Sequence, residues 1–189
     1  MRLKFVSAVA AAMLAATSAF AADPDNTMVI TTKDGDVTIA LRPDLAPQHV
    51  ARIKELVRDG AYDNVAFHRV IEGFMAQTGD VQFGDMQDGF NAQRAGTGGS
   101  DKPDLPAEFS DVPFTRGVLG MARSQNPDSA NSQFFIMFTE YPSLNGQYTV
   151  VGEVEKGMDV VDKIKRGEGG NGEVSNPDRM VKVRIAGDK

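Results

Sequence analysis

Two short segments set long polar donors beside bulky apolar side chains. The first is Phe67-His68-Arg69-Val70-Ile71-Glu72-Gly73-Phe74-Met75-Ala76-Gln77. In an extended strand alternate residues share a face, so Phe67, Arg69 and Ile71 fall on one side and His68 and Val70 on the other. An arginine between two apolar neighbours needs a reason. The second segment is Ser132-Gln133-Phe134-Phe135-Ile136-Met137, where Gln133, Phe135 and Met137 share a face. Arginine and glutamine hydrogen-bond a backbone carbonyl without offering a nucleophile. Phenylalanine and methionine provide an apolar recess. Taken singly, these side chains read better as core, with Arg69 snorkelling to water. Taken together they suit an extended peptide that seats a small apolar ring.

Other chemistries find little support. The chain has no cysteine, which excludes disulfides, thiol catalysis and thiolate metal sites. Its two histidines are His49, expected on the polar side of a helix, and His68, expected inside a strand. Neither position suits a Ser–His–Asp triad, and no G-x-S-x-G elbow exists. Gly167-Glu168-Gly169-Gly170-Asn171-Gly172 fits G-x-G-x-x-G, but it follows a helix pattern, and its acidic neighbours would repel phosphate. Gly96-Thr97-Gly98-Gly99 lacks the Walker lysine. Asp80, Asp85 and Asp88 could supply a carboxylate pair, although a flexible acidic loop is the commoner origin of such a cluster.

Composition narrows the field further. The 189 residues are 41% hydrophobic and 24% charged, an ordinary globular balance. Twenty basic against 26 acidic side chains give −6, which argues against a partner held by phosphate neutralisation. Residues 1–21 read as an address rather than fold. Arg2 and Lys4 precede an apolar run from Phe5 to Ala16, and Ala19-Phe20-Ala21 offers an A-x-A cleavage site. The layout predicts a signal peptide cut after Ala21 and a mature domain over 22–189. No later segment is long and apolar enough to span a bilayer. The expected product is exported and free of the membrane after cleavage.

The elements that must position the two segments are mostly strands. Met28–Thr32 and Val37–Leu41 predict a hairpin around Lys33-Asp34-Gly35-Asp36. Pro47 opens a helix whose narrow apolar stripe is Val50, Ile53, Leu56 and Val57, and Gly60 stops it. Val65–Thr78 reads as two short strands around Glu72-Gly73. Residues 80–109 form a long, weakly periodic segment, and such segments are often functional. Further strands are expected over 117–122, 132–138, 148–154 and 181–186, with a loop at 124–131 and a short helix through Met158, Val161 and Ile164. About eight strands and two helices predict a mainly β chain whose sheet curls into a barrel, or else a sandwich.

The ordered series F-H-R-V-I-x-G-F-M-x-Q, G-T-G-G, S-Q-F-F-I and L-N-G-Q-Y-T-V-x-G resembles the cyclophilin family of peptidyl-prolyl cis–trans isomerases, from about Met28 to Ala186. Met121-Ala122-Arg123 followed by Pro127-Asp128-Ser129-Ala130-Asn131-Ser132 resembles its bacterial branch, and the leader points to an exported, periplasmic member. The resemblance implies a closed eight-stranded antiparallel β-barrel capped by two α-helices, with the site on the outer wall. It implies a catalytic Arg69, an apolar proline pocket at Phe74, Met75, Phe135 and Leu144, and backbone-orienting Gln77 and Gln133. Ala122 and Arg123 would pair with the substrate backbone, beside a rim at Gly96–Gly99. Ser143 stands where many eukaryotic members carry tryptophan, and Tyr148 where they carry histidine, keeping an aromatic ring in the pocket. The lost indole N–H means that tight cyclosporin binding is not carried over. The implied partners are proline-containing polypeptides, unfolded or folding after export. No nucleic acid, cofactor or metal is called for, and the protein is expected to act as a monomer. A peptide-binding or chaperone module with little turnover is the alternative.

Overall fold

A computed structural model describes residues 23–188. The expected signal peptide, residues 1–21, lies outside them. Among the described residues no helix is long and apolar enough to cross a membrane.

The first hairpin forms as its alternation demands. Strand β1 (Thr27–Thr32) pairs with β2 (Gly35–Leu41), with Ile30 opposite Val37 and Met28 opposite Ile39. Helix α1 (Pro47–Arg58) follows, then β3 (Arg69–Ile71), β4 (Met75–Thr78), β5 (Val118–Met121), β6 (Phe134–Met137), β7 (Val150–Lys156), helix α2 (Met158–Val161) and β8 (Lys182–Ile185). All pairings are antiparallel, in the order β3-β4-β6-β5-β7-β2-β1-β8. Helix α1 packs against β8 and α2 against β2. Eight strands and two helices match the expected tally.

The closed barrel is not what forms. The strand ladder has two ends, β3 and β8, which do not pair with each other, so the sheet is an open half-barrel. The reason lies in the stretch before β8. Gly169, Gly172 and Asn176 all have positive φ, which a strand does not tolerate. That stretch forms no continuous ladder with residues 65–70; it meets them through isolated bridges, such as Ala66 with Arg179 and Arg69 with Glu173, and scattered backbone hydrogen bonds. Residues 80–109 hold no helix or strand, as expected. The second helix is shorter than its apolar spacing suggested, and a 3-10 turn at Pro142–Leu144 went unforeseen.

The sheet has two apolar faces. Ile30, Ile39, Phe67, Val70, Leu119, Phe134 and Ile136 belong to the main core, which also takes the α1 stripe. Met75, Phe114, Val118, Phe135, Met137, Leu144 and Val150 form a second cluster. Phe134 and Phe135, adjacent in β6, thus fall in different clusters, as strand alternation requires. Phe67 departs from expectation. It joins the main core with Val70 rather than sharing a face with Arg69 and Ile71, because β3 begins only at Arg69.

His49 also departs from expectation. It is fully buried instead of lying on the polar side of α1. Glu108, from the long loop, folds over the helix start and covers it. The Glu108 carboxylate takes the His49 ring Nδ1 at 2.6 Å and the backbone N–H groups of Gln48 and His49 at 3.1 Å. Ala46, at the N-cap, offers no side-chain acceptor, so Glu108 satisfies donors that the helix itself leaves open.

Candidate active site

Strands β3, β4, β5 and β6 carry the site on the face of the second cluster. Arg69 stands directly opposite Gln77 in the β3–β4 ladder, and Gln77 opposite Phe135 in the β4–β6 ladder. Register alone therefore puts the guanidinium, an amide and an aromatic ring side by side. The neighbouring cavity of about 140 Å³ is lined by Arg69, Phe74, Met75, Gln77, Ala122, Arg123, Phe135, Leu144 and Tyr148. The tenth residue singled out by sequence, Gln133, lines an adjoining cleft of about 490 Å³ together with Gly96–Ser100 and Asn131. Gln77, Ala122 and Arg123 belong to both spaces. The smaller cavity is far below the size of a drug pocket, and apolar cavities near 150 Å³ admit single small rings.

A chain of hydrogen bonds runs along the boundary. Arg69 Nε donates to the Asn171 carbonyl at 2.9 Å, and Nη1 donates to Gln77 Oε1 at 3.3 Å. Gln77 Nε2 donates to Gln133 Oε1 at 2.9 Å, and Gln133 Nε2 donates to the Gly98 carbonyl at 2.8 Å. Nη2 of Arg69 has no hydrogen-bond partner among the described residues. One edge of the guanidinium is thus fixed while a charged donor stays available. Fixed donors gain most at the edge of an apolar, water-poor recess.

The floor is aromatic. Phe135 stacks on Phe114 with ring centroids 5.7 Å apart, and Tyr148 meets Phe135 edge-on at 5.8 Å. Gly120, opposite Phe135 in the β5–β6 ladder, leaves the space that ring needs. A Cβ there would lie 2.4 Å from Phe135 Cζ. Leu144 reaches the cavity from the 3-10 turn, and Tyr148 from the turn before β7. The Arg123 guanidinium lies 4.5 Å above the Tyr148 ring and donates Nη2 to the Gln147 carbonyl at 2.8 Å. Its side chain is therefore tied to the wall. The Ala122 N–H donates to the Gln133 carbonyl at 2.9 Å, continuing the β5–β6 pairing toward the cleft.

Several contributors escaped the sequence. Tyr141 packs on Phe74 at 4.5 Å, and Phe114 and Asn171 reach the site from distant loops without a local signal. Gly120 did carry one, since a glycine inside an apolar strand marks a close approach. His68, beside Arg69, is buried and does not line this cavity. Burial pushes its imidazole below the ordinary value, so it stays neutral at neutral pH. Among the described residues no cluster of histidine and carboxylate side chains could hold a metal ion.

The family model for cyclophilin type peptidyl-prolyl cis-trans isomerases matches residues 27–185. The chain belongs to that family. A Brucella suis protein named "Probable peptidyl-prolyl cis-trans isomerase" is 66% identical over 189 residues, covering 96% of each chain. Peptidyl-prolyl cis-trans isomerase B of Escherichia coli is 39% identical over 142 residues, 71% of this chain and 80% of that one. Among solved structures, a cyclophilin from Hirschia baltica superposes with a TM-score of 0.72 at 29% identity, covering 86% of this chain and 74% of its own. A Cryptosporidium parvum cyclophilin, crystallised in the presence of the dipeptide Ala-Pro, gives 0.69 at 25% identity, covering 84% and 98%. The protein is a cyclophilin-type peptidyl-prolyl cis-trans isomerase with a cyclophilin fold.

Proposed function

We propose that this cyclophilin isomerises X–Pro bonds of exported polypeptides as they fold in the periplasm, that it works as a monomer, and that Arg69 is its catalytic residue. The observation that carries the site assignment is the Arg69 guanidinium, tied along one edge, beside an apolar cavity sized for one small ring. The leader-like residues 1–21 support export, and the family supports the reaction. Among the described residues, the exposed large apolar side chains are only Phe109, Tyr141 and Val181, which supports a monomer.

Rotation about X–Pro breaks no covalent bond. Its barrier of about 18–20 kcal/mol is the loss of amide resonance. In the twisted state the proline nitrogen becomes pyramidal and gains a lone pair. Arg69, charged and rich in donors, stabilises that state more than either planar one. Phe74, Met75, Phe135 and Leu144 hold the ring while the preceding carbonyl swings. Gln77 and Gln133 orient the backbone, and Ala122 and Arg123 line its path. Moving exchange from tens to hundreds of seconds to about a thousand events per second needs roughly 7 kcal/mol. An aimed cation in a dry recess supplies that order.

Fractionation of a two-membrane bacterium expressing the full chain tests the export half. The expected outcome is periplasmic protein beginning at Ala22 that accelerates proline-limited refolding. Cytoplasmic protein still carrying Met1 would overturn it.

A further inference from the structure

We propose that Asp80 is a positioning residue for the isomerase reaction, acting through the Gly96–Gly98 rim on the chain Gln133–Gln77–Arg69. The proposal rests on the catalytic assignment of Arg69. Asp80 is fully buried, and among the described residues it forms no ion pair. A carboxylate in that position is costly unless its oxygens are well supplied with donors.

The supply is complete. Oδ1 accepts the backbone N–H groups of Gln82 at 3.1 Å and Phe83 at 2.9 Å. Oδ2 accepts those of Gly96 at 2.7 Å and Gly98 at 2.9 Å. One side chain thus ties its own turn to a rim sixteen to eighteen residues away. That rim presents the Gly98 carbonyl, the acceptor that fixes the Gln133 amide at 2.8 Å. With Nε2 committed there, Gln133 must turn Oε1 toward Gln77, and Gln77 in turn points Oε1 at Arg69. If the Gly98 carbonyl moves, the amides lose the reason for their orientation, and the guanidinium loses one of its ties.

The joint is tight as well as polar. A Cβ at Gly98 would lie 2.5 Å from Asp80 Oδ1 and 2.7 Å from Phe83 Cδ2. At the other end, Ser132 donates its hydroxyl to the Gly79 carbonyl at 2.7 Å, which locks the chain just before Asp80 to the residue just before Gln133. Asparagine at position 80 would keep one acceptor oxygen and set an NH₂ against backbone donors.

The test is a double-mutant cycle. The kcat/KM for a proline tetrapeptide is measured for Asp80→Asn and Gln133→Ala, singly and combined, with thermal unfolding followed in parallel. Asp80→Asn is expected to lower kcat/KM about tenfold in the wild-type background and less than about twofold beside Gln133→Ala, since coupled residues are not additive. An equal loss in both backgrounds overturns the proposal, as does full activity in folded Asp80→Asn. Gly98→Ala disturbs the same joint without changing charge. It should reproduce both numbers, and it carries the test if Asp80→Asn fails to fold. Arg69→Ala is assayed alongside. Full activity there removes the catalytic assignment itself, whereas loss there with an additive cycle removes only the role of Asp80.

Discussion

Gln77 stands directly across the β3–β4 ladder from Arg69, and its Oε1 accepts the Nη1 hydrogen at 3.3 Å. The guanidinium is therefore held from its own sheet on one side and by the Asn171 carbonyl on the other. Neither partner is charged, so the positive charge is oriented without being neutralised. For the role proposed for Arg69, donating to a developing lone pair, that distinction matters.

Replacing Arg69 with alanine removes the donor and should lower kcat/KM by about 10²–10³, the usual cost of losing an aimed transition-state donor. Arg69→Lys keeps charge but not the planar fork, and should recover only part of that loss. Thermal unfolding should change little, because Arg69 is only half-buried. Wild-type activity of Arg69→Ala in a proline-limited refolding assay would remove it from the mechanism.

Gly120→Ala should close the pocket from beneath. The added methyl would meet Phe135 at 2.4 Å and Phe114 at 2.6 Å, so the aromatic floor must rise into the cavity. Overpacking of this kind costs about 1–3 kcal/mol. The expected result is a higher KM at a temperature where the variant remains folded. An unchanged KM would show that the floor can yield elsewhere.

Phe135→Ala works in the opposite sense, by leaving a hole. Phe135 is 5% exposed and contacts both Phe114 and Tyr148, so truncation should cost about 3–5 kcal/mol of stability. Substrate binding should weaken as well. Phe135→Leu, which keeps most of the volume, separates the two effects. It should be nearly as stable as wild type yet bind prolyl peptides less tightly in a calorimetric titration.

The Glu108 clamp on α1 predicts a pH dependence. Burial pushes the Glu108 carboxyl up, but the His49 ring and the backbone N–H groups of His49 and Gln48 outweigh it, leaving the carboxyl below its ordinary 4.5. A depressed carboxylate contributes its full stability above that ordinary value and loses it as pH falls through the lowered one. Glu108→Gln should thus cost about 0.5–2 kcal/mol at pH 7, as for loss of a helix cap. The difference from wild type should shrink steadily below pH 4.5. A gap that is constant from pH 7 to pH 3 would show that charge plays no part.

Much of the candidate site's lining was legible in the sequence, part from local pattern and part from the family resemblance. Alternation in β6 separated Phe134 from Phe135 correctly. Nine of the ten residues singled out line a single cavity, and Gln133 lies in the cleft beside it. Alternation failed at Phe67, two residues before β3 begins, where the backbone does not follow a strand.

By itself the amino-acid order determined the strand hairpins, the stripe of α1 and which side chains could recognise a peptide, because periodicity reports neighbours a few residues apart. Tertiary structure alone decided that the strand ladder stays open between β3 and β8, that Glu108 buries His49 from 59 positions away, and that Asp80 braces a distant rim. Those outcomes depend on hydrogen bonds between segments remote in the chain, and a local pattern carries no record of which remote donor will meet which acceptor.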